Sequence, residues 1–130
     1  MTNPSEHDIQ SVKIPKELSV HEETFALQLR AENIKYDREY LFDPERLYRA
    51  DFFFESANLI VEINGGTWMV KSGHNTGKGI QRDYDKCNRA QLLGFVYLQF
   101  TEKELNDLTA LDTVKQYIRT HIYIEVGKVE

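Results

Sequence analysis

RADFFFESANLIVEIN, Arg49 to Asn64, decides how this chain folds. With Tyr48 just before it, the stretch holds two apolar runs, Tyr48–Phe54 and Leu59–Asn64, rich in aromatic and β-branched residues, the composition of strands. Glu55–Asn58 between them supplies turn-forming residues. One carboxylate, Asp51, falls near the start of the first strand and another, Glu62, near the end of the second. Strands this apolar are expected to be buried, and a buried acid is costly unless something neutralises it. Two acids gathered by a hairpin suggest a divalent cation, since carboxylates are the hard oxygen ligands that Mg²⁺ and Mn²⁺ take. Periodicity alone supports equally well a pair of solvated strand ends, one of them bound to Arg49.

Working outward, Tyr36–Phe42 alternates weakly and reads as an earlier strand closed by Asp43–Pro44. Before it, Ser19 and Glu22 have the spacing of a capping box, followed by Phe25, Ala26 and Leu29 at helical intervals and a stop at Asn33. Residues 1–17, with Pro4, Pro15 and no sustained periodicity, are expected to be a flexible arm, leaving 18–130 as one domain. Downstream, residues 65–79 (GGTWMVKSGHNTGKG) hold five of the seven glycines and read as a loop. Gly73–Lys78 only approaches a phosphate-binding P-loop, because Gly79 stands where that motif needs a hydroxyl. A helix over Ile80–Leu93 ends at Gly94, and FVYLQF (Phe95–Phe100) is expected to be a central, buried strand. Thr101 and Glu104 cap a last helix whose apolar face is Leu108, Leu111, Val114, Tyr117 and Ile118.

The order helix, three strands, helix, strand, helix predicts an α/β fold: a mixed four-stranded sheet flanked by helices. The connection to the fourth strand is long enough for a right-handed parallel crossover. At 130 residues, 41% hydrophobic and 28% charged, the chain has the size and composition of a single globular domain. No stretch nears the roughly 20 apolar residues of a membrane span, and MTNPSEHD shows no basic-then-apolar secretory pattern. A lone cysteine, Cys87, excludes an internal disulfide and a cysteine-rich zinc site. A cytoplasmic location is expected. The net charge of −5 argues against holding nucleic acid by bulk electrostatics. Residues 71–89 nevertheless set Lys71, Lys78, Arg82, Lys86 and Arg89 against only Asp83 and Asp85, a locally basic stretch.

Four segments carry a resemblance. They are SVHEETFALQL (Ser19–Leu29), Arg49-Ala-Asp51-Phe52, Glu62-Ile-Asn64-Gly65-Gly66, and Asp83-Tyr-Asp-Lys86-Cys-Asn88 followed by Leu92-Leu93-Gly94. In order and spacing they resemble the PD-(D/E)XK nuclease core with its αβββαβ order. More specifically, residues 19–100 resemble the small bacterial and phage endonucleases related to very-short-patch repair enzymes.

The resemblance implies that Asp51 and Glu62 are metal ligands and that Glu22, on the opening helix, serves the same site. Its third core position, often a lysine, is Asn64, which can coordinate or orient a water but brings no positive charge. Lys86, on a helical stripe with Asp83, Ala90 and Leu93, is a candidate to replace that lysine; a surface pair with Asp83 is the plainer alternative. His74, in the glycine-rich loop, is a candidate general base or water-positioner, and Lys71, Lys78 and Arg82 are candidate phosphate contacts. Trp68 is expected to pack in the core. The resulting expectation is a Mg²⁺- or Mn²⁺-dependent endonuclease acting on branched, mismatched or nicked DNA in repair or recombination, bacterial or phage-encoded. Branched DNA would suggest a homodimer, because symmetric cuts need two sites. The rival is a non-catalytic nucleic-acid-binding or assembly protein on a nuclease-like scaffold, favoured by Asn64 and the acidic balance.

Overall fold

LIVEIN, apolar at four of its six positions, takes the middle of the sheet, where both faces and both edges are covered. The computed structural model describes residues 16–64 and 77–129, with side chains over 20–64 and 77–121. Helix α1 (Lys16–Ala31) leads into strands β1 (Asp37–Asp43), β2 (Tyr48–Phe54) and β3 (Leu59–Asn64). Helix α2 (Gly77–Leu92), strand β4 (Val96–Thr101), a short helix α3 (Glu102–Asn106) and the long helix α4 (Thr109–Val129) follow. The sheet runs β1-β2-β3-β4, antiparallel through β3 and parallel between β3 and β4. This is the expected α/β arrangement of a mixed four-stranded sheet flanked by helices. No described helix is long and apolar enough to cross a membrane.

Each sheet face has its own core. On one, Phe25 and Leu29 of α1 and Leu111 and Val114 of α4 pack on Phe52, Phe54, Leu59 and Val61. On the other, Ala90 of α2 meets Phe42, Tyr48, Ala50, Phe53 and Ile60, flanked by Tyr40, Phe95 and Tyr97. A regular β2 would put residues 48, 50, 52 and 54 on one face. Instead Tyr48 and Ala50 join the α2 side, while Phe52 and Phe54 join the α1 side. β1 changes phase at the same level. Arg38 lies over the Phe52 ring at 5.1 Å, whereas Tyr40 stacks on Phe53 at 4.0 Å. The break falls at Glu39, whose φ is +50°, between the pairs Arg38↔Phe52 and Tyr40↔Ala50 that flank Asp51.

Helix ends follow the sequence signals at two points. Asn33 (φ 57°) and Gly94 (φ 96°) each take the left-handed conformation, and the next N–H reaches back five residues, Ile34 to Leu29 and Phe95 to Ala90. The Thr101–Glu104 capping box also forms.

Other expectations are corrected. α1 begins at Lys16, two residues inside the expected arm, so Ser19 lies within the helix and is not its N-cap. Lys16, Glu17 and Leu18 are good helix formers directly after Pro15, which suits a helix start. α2 begins at Gly77 and absorbs Lys78 and Gly79 from the expected loop. First-turn N–H groups have no intrahelical partner in any case, and glycine is tolerated there. β4 is an edge strand, not a central one. Its apolar run reflects two covered faces, with Val96, Leu98 and Phe100 against one core and Tyr97 against the other. The C-terminal helix is broken at Asp107–Leu108. Leu108 has φ 69° and is exposed, and the Asp107 carboxylate accepts the Thr109 N–H at 2.9 Å to restart the helix as α4.

Candidate active site

β2 and β3 pair through Phe54↔Leu59, Phe53↔Ile60 and Phe52↔Val61, and there the ladder stops. At the next level the side chains of Asp51 and Glu62 take over. The Asp51 N–H donates to Glu62 Oε2 at 3.2 Å, and the Ile63 N–H donates to Asp51 Oδ2 at 2.9 Å. Two backbone donors that lose a strand neighbour are thereby satisfied by carboxylates.

Helix α2 brings a cation to this gap. Lys86 Nζ donates to both oxygens of Glu62, at 3.1 and 2.9 Å. Its alternative partner, Asp83, is exposed and unused by it. The helix is moored a turn further on by Arg89, which grips the fully buried Asp43 at 2.7 and 2.9 Å and Glu45 at 3.0 Å. Tyr48 and Arg46 both bind Asp85 on the same helix, at 2.7 and 3.1 Å. Arg89 holds the Asp43 carboxyl well below its ordinary range.

From the opposite side α1 contributes Glu22, and β1 contributes Glu39. One carboxylate oxygen each from Glu22, Glu39 and Asp51 lie within 4.8 Å of one another. All are hard oxygen donors, a set that suits Mg²⁺ or Mn²⁺. Glu62 stands outside that trio, turned to Lys86 and the Asp51 N–H. Arg38 neutralises the helix side, donating to Glu22 at 3.3 Å and to exposed Glu23 at 3.0 Å. Its Nε is buried with no acceptor among the described residues.

Four acids this close disfavour one another's ionisation. Burial, then the charge of Asp51, pushes both Glu22 and Glu62 up to about 7. Burial also raises Glu39, with Asp51 again the next cause. Asp51 is raised by burial too, but the Ile63 N–H, Lys86 and a hydrogen bond from Glu22 oppose the shift.

Of the residues singled out from sequence, Asp51, Glu62, Lys86 and Glu22 are thus brought together. Asn64 ends β3 with its amide donating to Gln99 Oε1 at 2.8 Å. Lys78 and Arg82 are exposed on α2, the Arg82 guanidinium lying 5.0 Å over the Tyr48 ring. His74, Lys71 and Trp68 lie outside the described residues. Glu39 was missed. The weak alternation of β1 gave no sign of it, although an acid one residue before an apolar YLF run was a usable hint.

No family model matches the sequence, and no curated protein matches it. Among solved structures the chain is similar to the catalytic domain of the homing endonuclease I-Bth0305I. The TM-score is 0.61 at 20% identity, covering 78% of this chain and 96% of that one. The likeness is one of fold, and the fold is one that a nuclease catalytic domain uses.

Proposed function

We propose that the protein is a Mg²⁺- or Mn²⁺-dependent endonuclease that hydrolyses DNA phosphodiester bonds. The observation that carries this proposal is the meeting of Asp51, Glu62, Glu22 and Glu39 with Lys86 where β2 and β3 part. Asp51 and Glu62 hold the ion, with Glu22 and Glu39 beside it. A carboxylate has enough lone pairs for Glu62 to keep Lys86 as it does so. A bound divalent ion supplies Lewis-acid activation of water and neutralises phosphate charge. Lys86, cationic and already aligned on Glu62, sets positive charge against a phosphate oxygen, the task Asn64 cannot perform. Asn64 orients a water through its carbonyl, and His74 is the general base. Lys71, Lys78 and Arg82 neutralise backbone phosphates. Branched, mismatched or nicked DNA is the substrate class, in repair or recombination within a bacterial or phage-infected cell, and a homodimer would place two sites for symmetric cuts.

Labelled duplex, mismatched, nicked and branched DNA, incubated with Mg²⁺ or Mn²⁺, tests the proposal. Cleavage by the parent and none by Asp51→Asn is expected, and equal cleavage by both proteins would sink it. The second reading is a DNA-binding or assembly protein without catalysis, favoured by Asn64 and by the net charge of −5. Metal-independent DNA binding with no cleavage of any substrate in the panel would establish that one instead.

A further inference from the structure

We propose that the β1–β2 turn, Pro44–Leu47, is a DNA-seating element in which Leu47 enters a groove of the duplex while neighbouring arginines hold phosphates; this rests on the nuclease proposal above. The turn is unusually well anchored. Asp43, fully buried, accepts the N–H groups of Glu45 at 3.1 Å and Arg46 at 3.2 Å while Arg89 grips both its oxygens. Charge-assisted bonds of this kind are the strong ones, so the turn is fixed to α2 as a rigid unit. At its tip Leu47 is 69% exposed and has φ 61°.

The left-handed backbone at Leu47 closes the four-residue loop between the paired Asp43 and Tyr48, but the leucine side chain it carries serves no packing role. The exposed side chain buries little apolar surface, and a left-handed backbone suits glycine or asparagine better than a branched side chain.

Position and charge point to DNA. The turn enters β2 four residues before Asp51, at the sheet end where β3 finishes with Asn64 and α2 begins. The acids around it are engaged: Asp43 and Glu45 by Arg89, and Asp85 by Arg46 and the Tyr48 hydroxyl. Exposed Arg49, Arg82 and Lys78 form no ion pair among the described residues and border the same end. An apolar tip with cations at the same end of the sheet is a combination that proteins use to wedge into the minor groove.

The test uses the full chain carrying Asp51→Asn, to prevent cleavage, and a fluorescently labelled duplex in anisotropy titrations at fixed salt. Adding Leu47→Gly is expected to hold or raise the melting temperature, since glycine suits the left-handed backbone, and to weaken duplex binding at least about tenfold. Leu47→Met is expected to retain affinity. A duplex containing a fluorescent adenine analogue should brighten on binding with Leu47 and not with glycine there. Unchanged affinity for Leu47→Gly overturns the inference while leaving the nuclease proposal intact. So does concentration-dependent self-association that Leu47→Gly abolishes without affecting DNA binding. A parent that cleaves no DNA removes the nuclease proposal, whatever Leu47 does; a parent that binds no duplex overturns the inference, and its cleavage of branched or nicked DNA would leave the nuclease proposal standing.

Discussion

Asp51 and Glu62 complete each other's strands: each carboxylate accepts an N–H from the other's strand, at 3.2 and 2.9 Å, where the β2–β3 ladder has ended. The acids are therefore held by backbone as well as by packing. Fixing charged groups before any ligand arrives is what a catalytic site requires, and the cost here is mutual repulsion among Glu22, Glu39, Asp51 and Glu62.

Replacing Asp51 should separate activity from stability. Asp51→Asn keeps an acceptor for the Ile63 N–H but removes the charge that raises both Glu22 and Glu62. Cleavage is expected to vanish in single-turnover assays while the metal-free melting temperature holds or rises. A clear fall in melting temperature would show that the charge at Asp51 supports the fold.

The metal-free protein should gain stability as it is acidified from weakly basic pH. Glu22 and Glu62 sit at about 7 against an ordinary 4.5, so the folded state binds their protons more tightly. Their stabilising contribution is complete below pH 4.5 and lost as pH rises through about 7. Asp43 acts in the opposite sense. Its depressed carboxyl stabilises above its ordinary 3.8, and that contribution fades as the pH falls below it. A melting temperature that peaks at mildly acidic pH in the presence of a chelator is expected. A profile flat from about pH 5 to 8 would remove the acid cluster as its cause.

Lys86 should couple to Glu62. The pair is largely buried, at 16% and 11% side-chain exposure, and Lys86→Met would strand a carboxylate. A loss of roughly 1–3 kcal/mol in urea unfolding is expected near neutral pH, smaller at pH 5.5 where Glu62 can take a proton. Adding Glu62→Gln should recover most of it. A double mutant equal to the sum of the singles would mean that the two side chains do not interact.

Cation binding should be visible without substrate. Mn²⁺ at about 100 times its dissociation constant adds roughly 2.7 kcal/mol of stability, read as an upward melting shift. Glu39→Gln is expected to weaken that binding about tenfold by calorimetry, an effect of about 1.4 kcal/mol. Equal affinity in the variant would exclude Glu39 from the ion's surroundings.

The parts legible in sequence were those fixed by local pattern. The boundaries of β2 and β3 follow from their apolar runs, and the same hairpin places Asp51 near Glu62. Helical spacing sets Glu22 three residues before Phe25 on one face of α1 and puts Lys86 on one stripe with Ala90, and both faces meet the sheet. What stayed hidden depends on chain segments far apart. Asp43 reads as a strand end before Pro44, and only the fold brings Arg89 to it. Glu39 joins the site because β1 and β2 change phase together, and no residue type marks a phase break. The break at Leu108 and the edge position of β4 depend likewise on how elements pack.

The gap between β2 and β3 also makes the sheet a reporter on its own chemistry. The amide protons of Asp51 and Ile63 are shielded from solvent by carboxylate oxygens and not by a neighbouring strand. Whatever draws those oxygens away, a proton or a cation, alters the shelter of two backbone sites at the heart of the domain. Their hydrogen-exchange rates would therefore register the state of the site directly, in a protein that has cut nothing.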